Sequence, residues 1–292
     1  MGEFLLFRLN LCTQKLKLFD MIPMRFMAVL AFFLVLMGCG PSAEEQAADK
    51  MEDAIRLKES GRLNQARMKL DTIIADYEDL TGQVADAKRL LRDIRLLEQK
   101  RSLAYLDSAI TEKKAELDPL LDGFIESEDY GNKITYIHRR QRPEVSYHRT
   151  FLRAHLDESG NFYISSRYHG TEWIRHDQIR VYNAGESVTS EKIPEDSFDN
   201  RRFESGEDKF EIVRYKEGAD NGIVDFIASN VEKPLKAEFI GDKHYYIVME
   251  QFDKEAIRDA YETSFVLKEL KGLKAEKRRV QKQILELQNM ER

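Results

Sequence analysis

Six histidines carry much of the potential of this sequence for acid–base or metal chemistry. His148 and His155 are seven residues apart, and so are His169 and His176. Because successive side chains of a β-strand point to opposite faces, an odd spacing separates the two members of each pair. Imidazole is a common zinc ligand, but this pattern favours surface or hydrogen-bonded histidines. We therefore expect no metal site and no cofactor.

Sequence motifs of catalysis are missing from the chain. It contains no GxSxG, no GxxxxGK[ST], no GxGxxG and no HExxH pattern. Acidic pairs are abundant, but a chain in which 34% of the residues are charged contains such pairs by chance. We therefore expect no catalytic residue and no enzyme activity.

A basic segment between residues 133 and 155 is the most distinctive candidate for a binding site. Aromatic residues are interleaved with the basic ones, and Glu144 is its single acid. Guanidinium groups suit carboxylates and phosphates because they donate two parallel hydrogen bonds. We expect an anionic glycan or an acidic face of an envelope protein to bind here, and the alternative is a solvated strand face. The candidate residues are Arg139, Arg140, Arg142, Arg149 and Arg153.

An apolar segment precedes a cysteine near the beginning of the sequence. Residues 26–37 are uninterruptedly apolar and follow Arg25. As a helix, this run would span about 18 Å, which is less than the bilayer hydrocarbon core of about 30 Å. The length therefore favours the apolar region of a signal peptide over a membrane-spanning helix.

The residues Leu36, Met37, Gly38 and Cys39 resemble the lipobox of bacterial lipoproteins. An aliphatic residue stands three positions before the cysteine, and a small glycine directly precedes it. The resemblance implies that residues 1–38 are a cleaved signal peptide and that Cys39 carries the lipid, including acyl chains such as palmitate. It also implies a location in the cell envelope. Proline two residues after Cys39, where aspartate is associated with inner-membrane retention in enteric bacteria, favours the outer membrane.

Cleavage before Cys39 changes the charge and the cysteine content of the chain. Residues 1–38 contain four basic and two acidic residues, so the formal net charge moves from −6 to −8. Cys12 is discarded, and the acylated Cys39 cannot form a disulfide. An exported, acidic protein is also a poor partner for nucleic acid, and none is expected. Residues 1–20 precede an already complete signal, which predicts that the true start lies further along the chain.

Residues 43–121 are predicted to be helical, after a short lipidated tether at 39–42. The helix formers Ala, Leu, Glu, Lys, Arg and Gln dominate this region. Around Gly61, the small residues Ala54 and Ala66 alternate with large apolar ones in a pattern that resembles one tetratricopeptide repeat. The resemblance implies two closely packed antiparallel helices, and a plain helical hairpin explains the pattern equally well. A long amphipathic helix follows.

Residues 122–250 are predicted to form an antiparallel β-module. Short aromatic and β-branched runs alternate with turn residues, beginning with a hairpin around Gly160. About eight such strands predict a sandwich or a barrel-like module. Further strands are expected at 178–182, 187–193, 210–215, 223–228, 235–240 and 244–249.

Residues 251–292 are predicted to form a long C-terminal amphipathic helix, because apolar residues recur at intervals of three and four. This helix could pair with the long helix within 43–121 as an antiparallel coiled-coil stalk that carries the β-module as its head. The predicted fold class is therefore α+β.

Two functions fit this organisation. The order of lipobox, helices and β-module resembles uncharacterised outer-membrane lipoproteins of Gram-negative bacteria, which implies a membrane-anchored, non-catalytic interaction or scaffold protein. The alternative is a glycan- or peptidoglycan-binding accessory module of an envelope enzyme or uptake system. An exposed aromatic platform on the β-module would favour glycan binding, whereas exposed helical grooves would favour protein partners.

The lipid attachment can be tested by replacing Cys39. We expect Cys39→Ala to abolish metabolic labelling with a fatty acid and to release the protein from the membrane fraction, because the thiol that accepts the lipid is gone. Cys12→Ala is the matched control and should label normally. Labelling that persists in Cys39→Ala would contradict the assignment.

Overall fold

The structure, a computed structural model, describes residues 41–128 and 133–290. The predicted signal peptide and the lipobox residues Leu36, Met37, Gly38 and Cys39 lie outside the described residues. The described chain divides into two compact units, one ending at Glu98 and the other beginning at Gln99. It combines helices with two antiparallel sheets, which confirms the α+β class. Among the described residues, no helix combines the length and apolarity that crossing a membrane requires.

The described helices lie at the two ends of the chain and between strands. They are α1 (Ala43–Glu59), α2 (Leu63–Asp76), α3 (Thr81–Leu121), α4 (Pro143–Ser146), α5 (Ile223–Ser229) and α6 (Gln251–Asn289). A 3₁₀ turn at Arg139–Gln141 precedes α4. The helix α3 continues through Pro119, although the helix-forming composition of the sequence ends near this residue.

Two antiparallel sheets are built from the described strands. The strands are β1 (Phe124–Ser127), β2 (Thr135–His138), β3 (Phe151–Asp157), β4 (Phe162–Gly170), β5 (Gln178–Tyr182), β6 (Ser187–Thr189), β7 (Asn200–Ser205), β8 (Asp208–Tyr215), β9 (Lys236–Ile240) and β10 (Tyr245–Val248). Sheet A has the order β1-β2-β3-β4-β8-β7, and sheet B has the order β10-β9-β5-β6. Neither sheet closes into a barrel within the part of the chain that the structure describes.

The first unit contains the hairpin of α1 and α2. A capping box begins α1, in which Ser42 Oγ accepts from the Glu45 N–H at 3.2 Å and the Glu45 carboxylate accepts from the Ser42 N–H at 2.9 Å. Gly61 makes the turn with φ 78°. Ala54 and Ala66 are completely buried, as their small side chains predict for two closely packed helices.

One hydrophobic core in the second unit joins both sheets and the helices. Sheet A contributes Leu152, Ile164 and Val213, and sheet B contributes Val181 and Phe239, all with 0% exposure. Side chains of α5 and α6 complete this core. At about 25 cal/mol per Å² of buried apolar surface, this shared burial provides the main stabilisation of the unit.

The segment predicted as a strand at 223–228 is a helix, so that prediction is wrong. Gly222 takes φ 86° before the helix, and the Asp220 carboxylate accepts a hydrogen bond from the Val224 N–H at 3.2 Å. Ile223 and Ile227 are both fully buried, one helical turn apart. By periodicity alone, a short apolar run fits either a strand or a buried helix. Here the left-handed backbone of Gly222 and the hydrogen bond from the Val224 N–H to Asp220 favour the helix.

The segments of α3 and α6 that belong to the second unit run antiparallel where they meet. Lys113 pairs with Glu269 at 2.7 Å, and Asp107 pairs with Lys277 at 2.6 Å. The residue number falls along one helix as it rises along the other, which defines the antiparallel direction. Leu117 lies in the same core as residues of α6.

The loop between β3 and β4 contacts the backbone of α6 at Gly160. A Cβ added to Gly160 would lie 2.6 Å from the Ser264 carbonyl oxygen and 2.9 Å from the Lys268 nitrogen. Gly160 also has φ 77°, a conformation that side chains disfavour. Its missing side chain therefore lets the hairpin and the helix pack in direct backbone contact.

Gly160→Ala should lower the free energy of unfolding of the second unit more than Gly→Ala at a position that has a positive φ but no close neighbour. Gly218→Ala is the matched control, because Gly218 has φ 87° and no atom within 4 Å of an added Cβ. The control should cost about 1–2 kcal/mol, and Gly160→Ala should add about 1–3 kcal/mol of overpacking. Urea unfolding measures both, and equal losses would contradict the close contact.

Candidate functional site

Four of the five predicted arginines line one surface depression of about 430 Å³. Its walls come from the 3₁₀ turn, from α4 and from the first turn of α6. The lining residues are Arg139, Arg140, Arg142, Val145, Arg149 and Phe252. We call this surface the basic depression.

The buried amide of Gln141 positions the segment that carries these arginines. Its Nε2 donates to the Leu152 carbonyl and to Asp253 Oδ1, each at 2.9 Å, and its Oε1 accepts from the Ala154 N–H at 3.0 Å. Gln141 therefore joins the 3₁₀ turn to β3 and to α6. Ser146 Oγ donates to the carbonyls of Gln141 and Arg142, which holds the short helix α4 in place.

Arg149 lines the basic depression and is itself tightly held. It donates to the buried Asp253 carboxylate. Its guanidinium lies 4.8 Å from the ring centres of both Phe151 and Phe252. Burial raises the pKa of Asp253, and the hydrogen bonds from Gln141 and Arg149 offset part of this effect. The charge of Arg149 is therefore largely balanced within the protein.

The other three arginines carry charge that the described part of the chain leaves unbalanced at close range. Arg139, Arg140 and Arg142 are exposed. No carboxylate among residues 41–128 and 133–290 lies within 4.0 Å of their guanidinium nitrogens. Together with the fixed Arg149, they can surround a phosphate or carboxylate with several charge-assisted hydrogen bonds.

Arg153, the fifth predicted residue, lies elsewhere. It is only 8% exposed and occupies β3 between the core residues Leu152 and Ala154, so its side chain points to the opposite face of sheet A. His155 shares that face, where it stacks on Tyr163 with a ring distance of 4.5 Å. Burial, reinforced by the charge of Arg153, lowers the pKa of His155 well below its ordinary value.

Phe252, which lines the basic depression, and Asp253, which holds Arg149 and Gln141, were not anticipated from the sequence. Asp253 contacts Gln141 across 112 positions of the chain, and no local pattern announces this contact. Asp253 is one of several acidic residues at the start of α6, so the sequence does not single it out.

A second polar arrangement has the connectivity of a catalytic triad. Ser166 Oγ lies 2.7 Å from His176 Nε2, and His176 Nδ1 lies 2.7 Å from Glu211 Oε2. Burial lowers the pKa of His176, against the opposite effect of Glu211. Burial alone would raise the pKa of Glu211, but hydrogen bonds from His176 and from two backbone N–H groups outweigh it and lower the pKa. A neutral imidazole therefore donates to an ionised carboxylate.

This arrangement is closed to substrates. Ser166, His176 and Glu211 all have 0% exposure. The hydroxyl of Tyr215, also buried, lies 3.2 Å from Ser166 Oγ. The geometry satisfies buried polar groups between the two sheets.

The chain matches no protein-family model, and searches of curated proteins and of solved structures also found no significant match.

The buried position of Ser166 predicts that the folded protein does not react with serine-hydrolase probes. A fluorophosphonate should leave the native protein unlabelled, because the probe cannot reach Ser166 Oγ. Ser166→Ala should lower the free energy of unfolding by about 1–2 kcal/mol, since the His176 nitrogen loses its donor. Labelling of the native protein that disappears in Ser166→Ala would show instead that this serine is an accessible nucleophile.

Proposed function

We propose that this protein is a lipid-anchored, non-catalytic interaction protein of the bacterial cell envelope, which binds an anionic group of its partner in the basic depression. The lipid anchor rests on the resemblance of Leu36, Met37, Gly38 and Cys39 to a lipobox. The binding role rests on the basic depression.

One observation carries the binding role. Three exposed arginines, Arg139, Arg140 and Arg142, line the same depression without a carboxylate within 4.0 Å of their guanidinium nitrogens in the described chain. Like charges held close together repel one another, and an anion placed between them would remove this cost. The surrounding contacts of Gln141 and Asp253 hold the segment before a partner arrives, so less ordering entropy is lost on binding.

The absence of catalysis in this proposal is supported by the burial of the Ser166, His176 and Glu211 network. A nucleophile must be reachable by its substrate. The basic depression offers arginines, which bind and orient anions and do not transfer protons at neutral pH.

The sequence suggests a helical stalk that carries a sandwich-like head. Such a stalk would hold the binding surface away from the membrane. The antiparallel ion pairs Lys113–Glu269 and Asp107–Lys277 support the stalk. The core that both sheets share supports a sandwich-like head.

A specific observation also favours the alternative, a glycan- or peptidoglycan-binding accessory module of an envelope enzyme or uptake system. Tyr245 and Tyr246 are 39% and 55% exposed on the edge strand β10. Successive side chains of a strand point to opposite faces, so each face of β10 offers one exposed ring that can stack on the apolar face of a sugar. The same edge strand could also accept a strand of a protein partner, because no other described strand of sheet B lies beyond it.

Neutralising the basic depression should weaken binding to a polyanion. We expect the triple variant Arg139→Gln, Arg140→Gln, Arg142→Gln to bind immobilised heparin, used as an anionic glycan probe, at least about tenfold more weakly, since charge-assisted hydrogen bonds contribute about 1.5–3 kcal/mol each. The measurement is the dissociation constant at fixed ionic strength.

The matched control removes the same charge from another basic surface, through Lys271→Gln, Lys274→Gln and Arg278→Gln on α6. This triple variant should keep most of the affinity. Equal losses in both variants would indicate attraction by overall charge and contradict a specific site. Retention of the arginine variant on heparin would reject the basic depression. Repeating the measurement with purified peptidoglycan distinguishes the alternative function, which requires Tyr245 and Tyr246.

A further inference from the structure

Two histidines from different sequence pairs meet on the outer face of sheet A. His148 follows α4, and His169 lies near the end of β4. His148 Nδ1 and His169 Nε2 are 3.4 Å apart. Asp208, the first residue of β8, lies beside both, with carboxylate oxygens 3.2 Å from His169 Nε2 and 3.8 Å from His148 Nδ1. Three elements that are distant in sequence thus place two imidazoles and one carboxylate together.

The separations match those of neighbouring ligands on a tetrahedral metal ion. Zinc lies about 2.0–2.2 Å from nitrogen and oxygen ligands, which puts two tetrahedral ligands about 3.3–3.6 Å apart. The distances of 3.4 and 3.2 Å agree with this value. His148 Nδ1 lies 3.8 Å from Oδ2, the other carboxylate oxygen of Asp208. With one ligand atom from each residue, all three atoms lie within 4.8 Å of one another. The side chain of His148 is 65% exposed, so it can move closer to the other two ligands.

Without an ion, the facing nitrogens of the two imidazoles form only a long hydrogen bond with each other. A nitrogen-to-nitrogen distance of 3.4 Å exceeds the usual hydrogen-bond range of about 2.7–3.2 Å. A metal ion between the nitrogens would bind the lone pairs of both. The ligand set of two imidazoles and a carboxylate suits zinc and related divalent transition metals.

The surrounding residues hold the ligands in place. The buried ring of Phe210 lies 5.0 Å from the ring centre of His169 and 6.4 Å from that of His148. Thr150 Oγ1 accepts from the His169 N–H and donates to the His169 carbonyl, at 3.0 and 3.1 Å. The tight hairpin at Gly206, with φ 63°, determines where Asp208 begins β8. Such supporting contacts are typical of metal sites.

A cavity of about 480 Å³ adjoins the two histidines. His148 and His169 form part of its wall, and Arg149 lines both this cavity and the basic depression. Three protein ligands leave a fourth tetrahedral position for water or for an oxygen of a bound molecule.

We infer that His148, His169 and Asp208 form a binding site for one divalent transition-metal ion of the zinc type. This inference goes beyond the proposed function and does not depend on it, because the basic depression requires no metal. His155 and His176, which stand seven residues from His148 and His169, take no part in this site. His155 projects from the same face of sheet A as His169 but contacts Ser165, and His176 is buried against Ser166.

Metal titration of the full-length chain tests the site directly. After removal of bound metal with a chelator, calorimetric titration with Zn²⁺ should show one ion bound per chain, and Co²⁺ should produce the intense visible absorption of a tetrahedral site. His148→Ala and Asp208→Asn should each weaken Zn²⁺ binding at least about tenfold, since even outer-shell changes cost about 10–100-fold. His148 is exposed, so its replacement leaves the fold intact.

The matched control is His244→Ala. His244 is a half-exposed histidine that contacts the carboxylate of Glu238 at 2.6 Å, outside the proposed site. This variant should bind Zn²⁺ as the wild type does. The absence of saturable one-to-one binding, or unchanged affinity in both His148→Ala and Asp208→Asn, would overturn the site. A thiolate-to-cobalt charge-transfer band would assign the metal to a cysteine instead and would also overturn it. Heparin binding measured in the same variants separates this result from that of the basic depression.

Discussion

The buried carboxylate of Glu211 is the interaction on which the second unit depends. It lies on β8 of sheet A and accepts the backbone N–H groups of three consecutive residues, 174–176, at 2.8–2.9 Å. These residues lead directly into β5 of sheet B. Arg175 takes the left-handed φ of 51°, which turns its N–H toward the carboxylate. One ionised side chain therefore stabilises a strained backbone segment and links the two sheets.

Other contacts in this region depend on the same segment. The loop between β9 and β10 passes so close that a Cβ on Gly241 would lie 2.5 Å from the Arg175 carbonyl. His176 donates to Glu211 and accepts from Ser166, which extends the network across sheet A. A buried carboxylate costs several kcal/mol unless its oxygens are satisfied. Here four donors satisfy it, so the network acts as structure even though its connectivity is that of a catalytic triad.

Asp253 is a second buried carboxylate whose oxygens accept hydrogen bonds from neighbouring side chains, but it lies next to the basic depression. It is almost as buried as Glu211, but its partners Gln141 and Arg149 belong to the segment that carries the exposed arginines. A satisfied buried acid thus holds a cluster of unbalanced cations in position. The histidines beside Asp208 differ again, because they are partly exposed and incompletely satisfied by one another. A structural network is buried and its polar groups have their hydrogen-bond partners, whereas a candidate binding site is partly exposed and its charges or lone pairs are incompletely paired. Both properties depend on the tertiary structure.

The amino-acid sequence by itself determined the long helices, the hairpin at Gly61, most of the strands and the grouping of Arg139, Arg140 and Arg142. Helical period, strand alternation and turn residues are local properties, so they can be read without the fold. Strands β1, β2 and β7 were not anticipated, since short strands become stable through their neighbours in a sheet. The tertiary structure alone decided that Arg153 leaves the arginine group, that Asp253 anchors it, and that His148 meets His169. These outcomes depend on contacts between residues 20 to more than 100 positions apart, whose geometry no local pattern encodes.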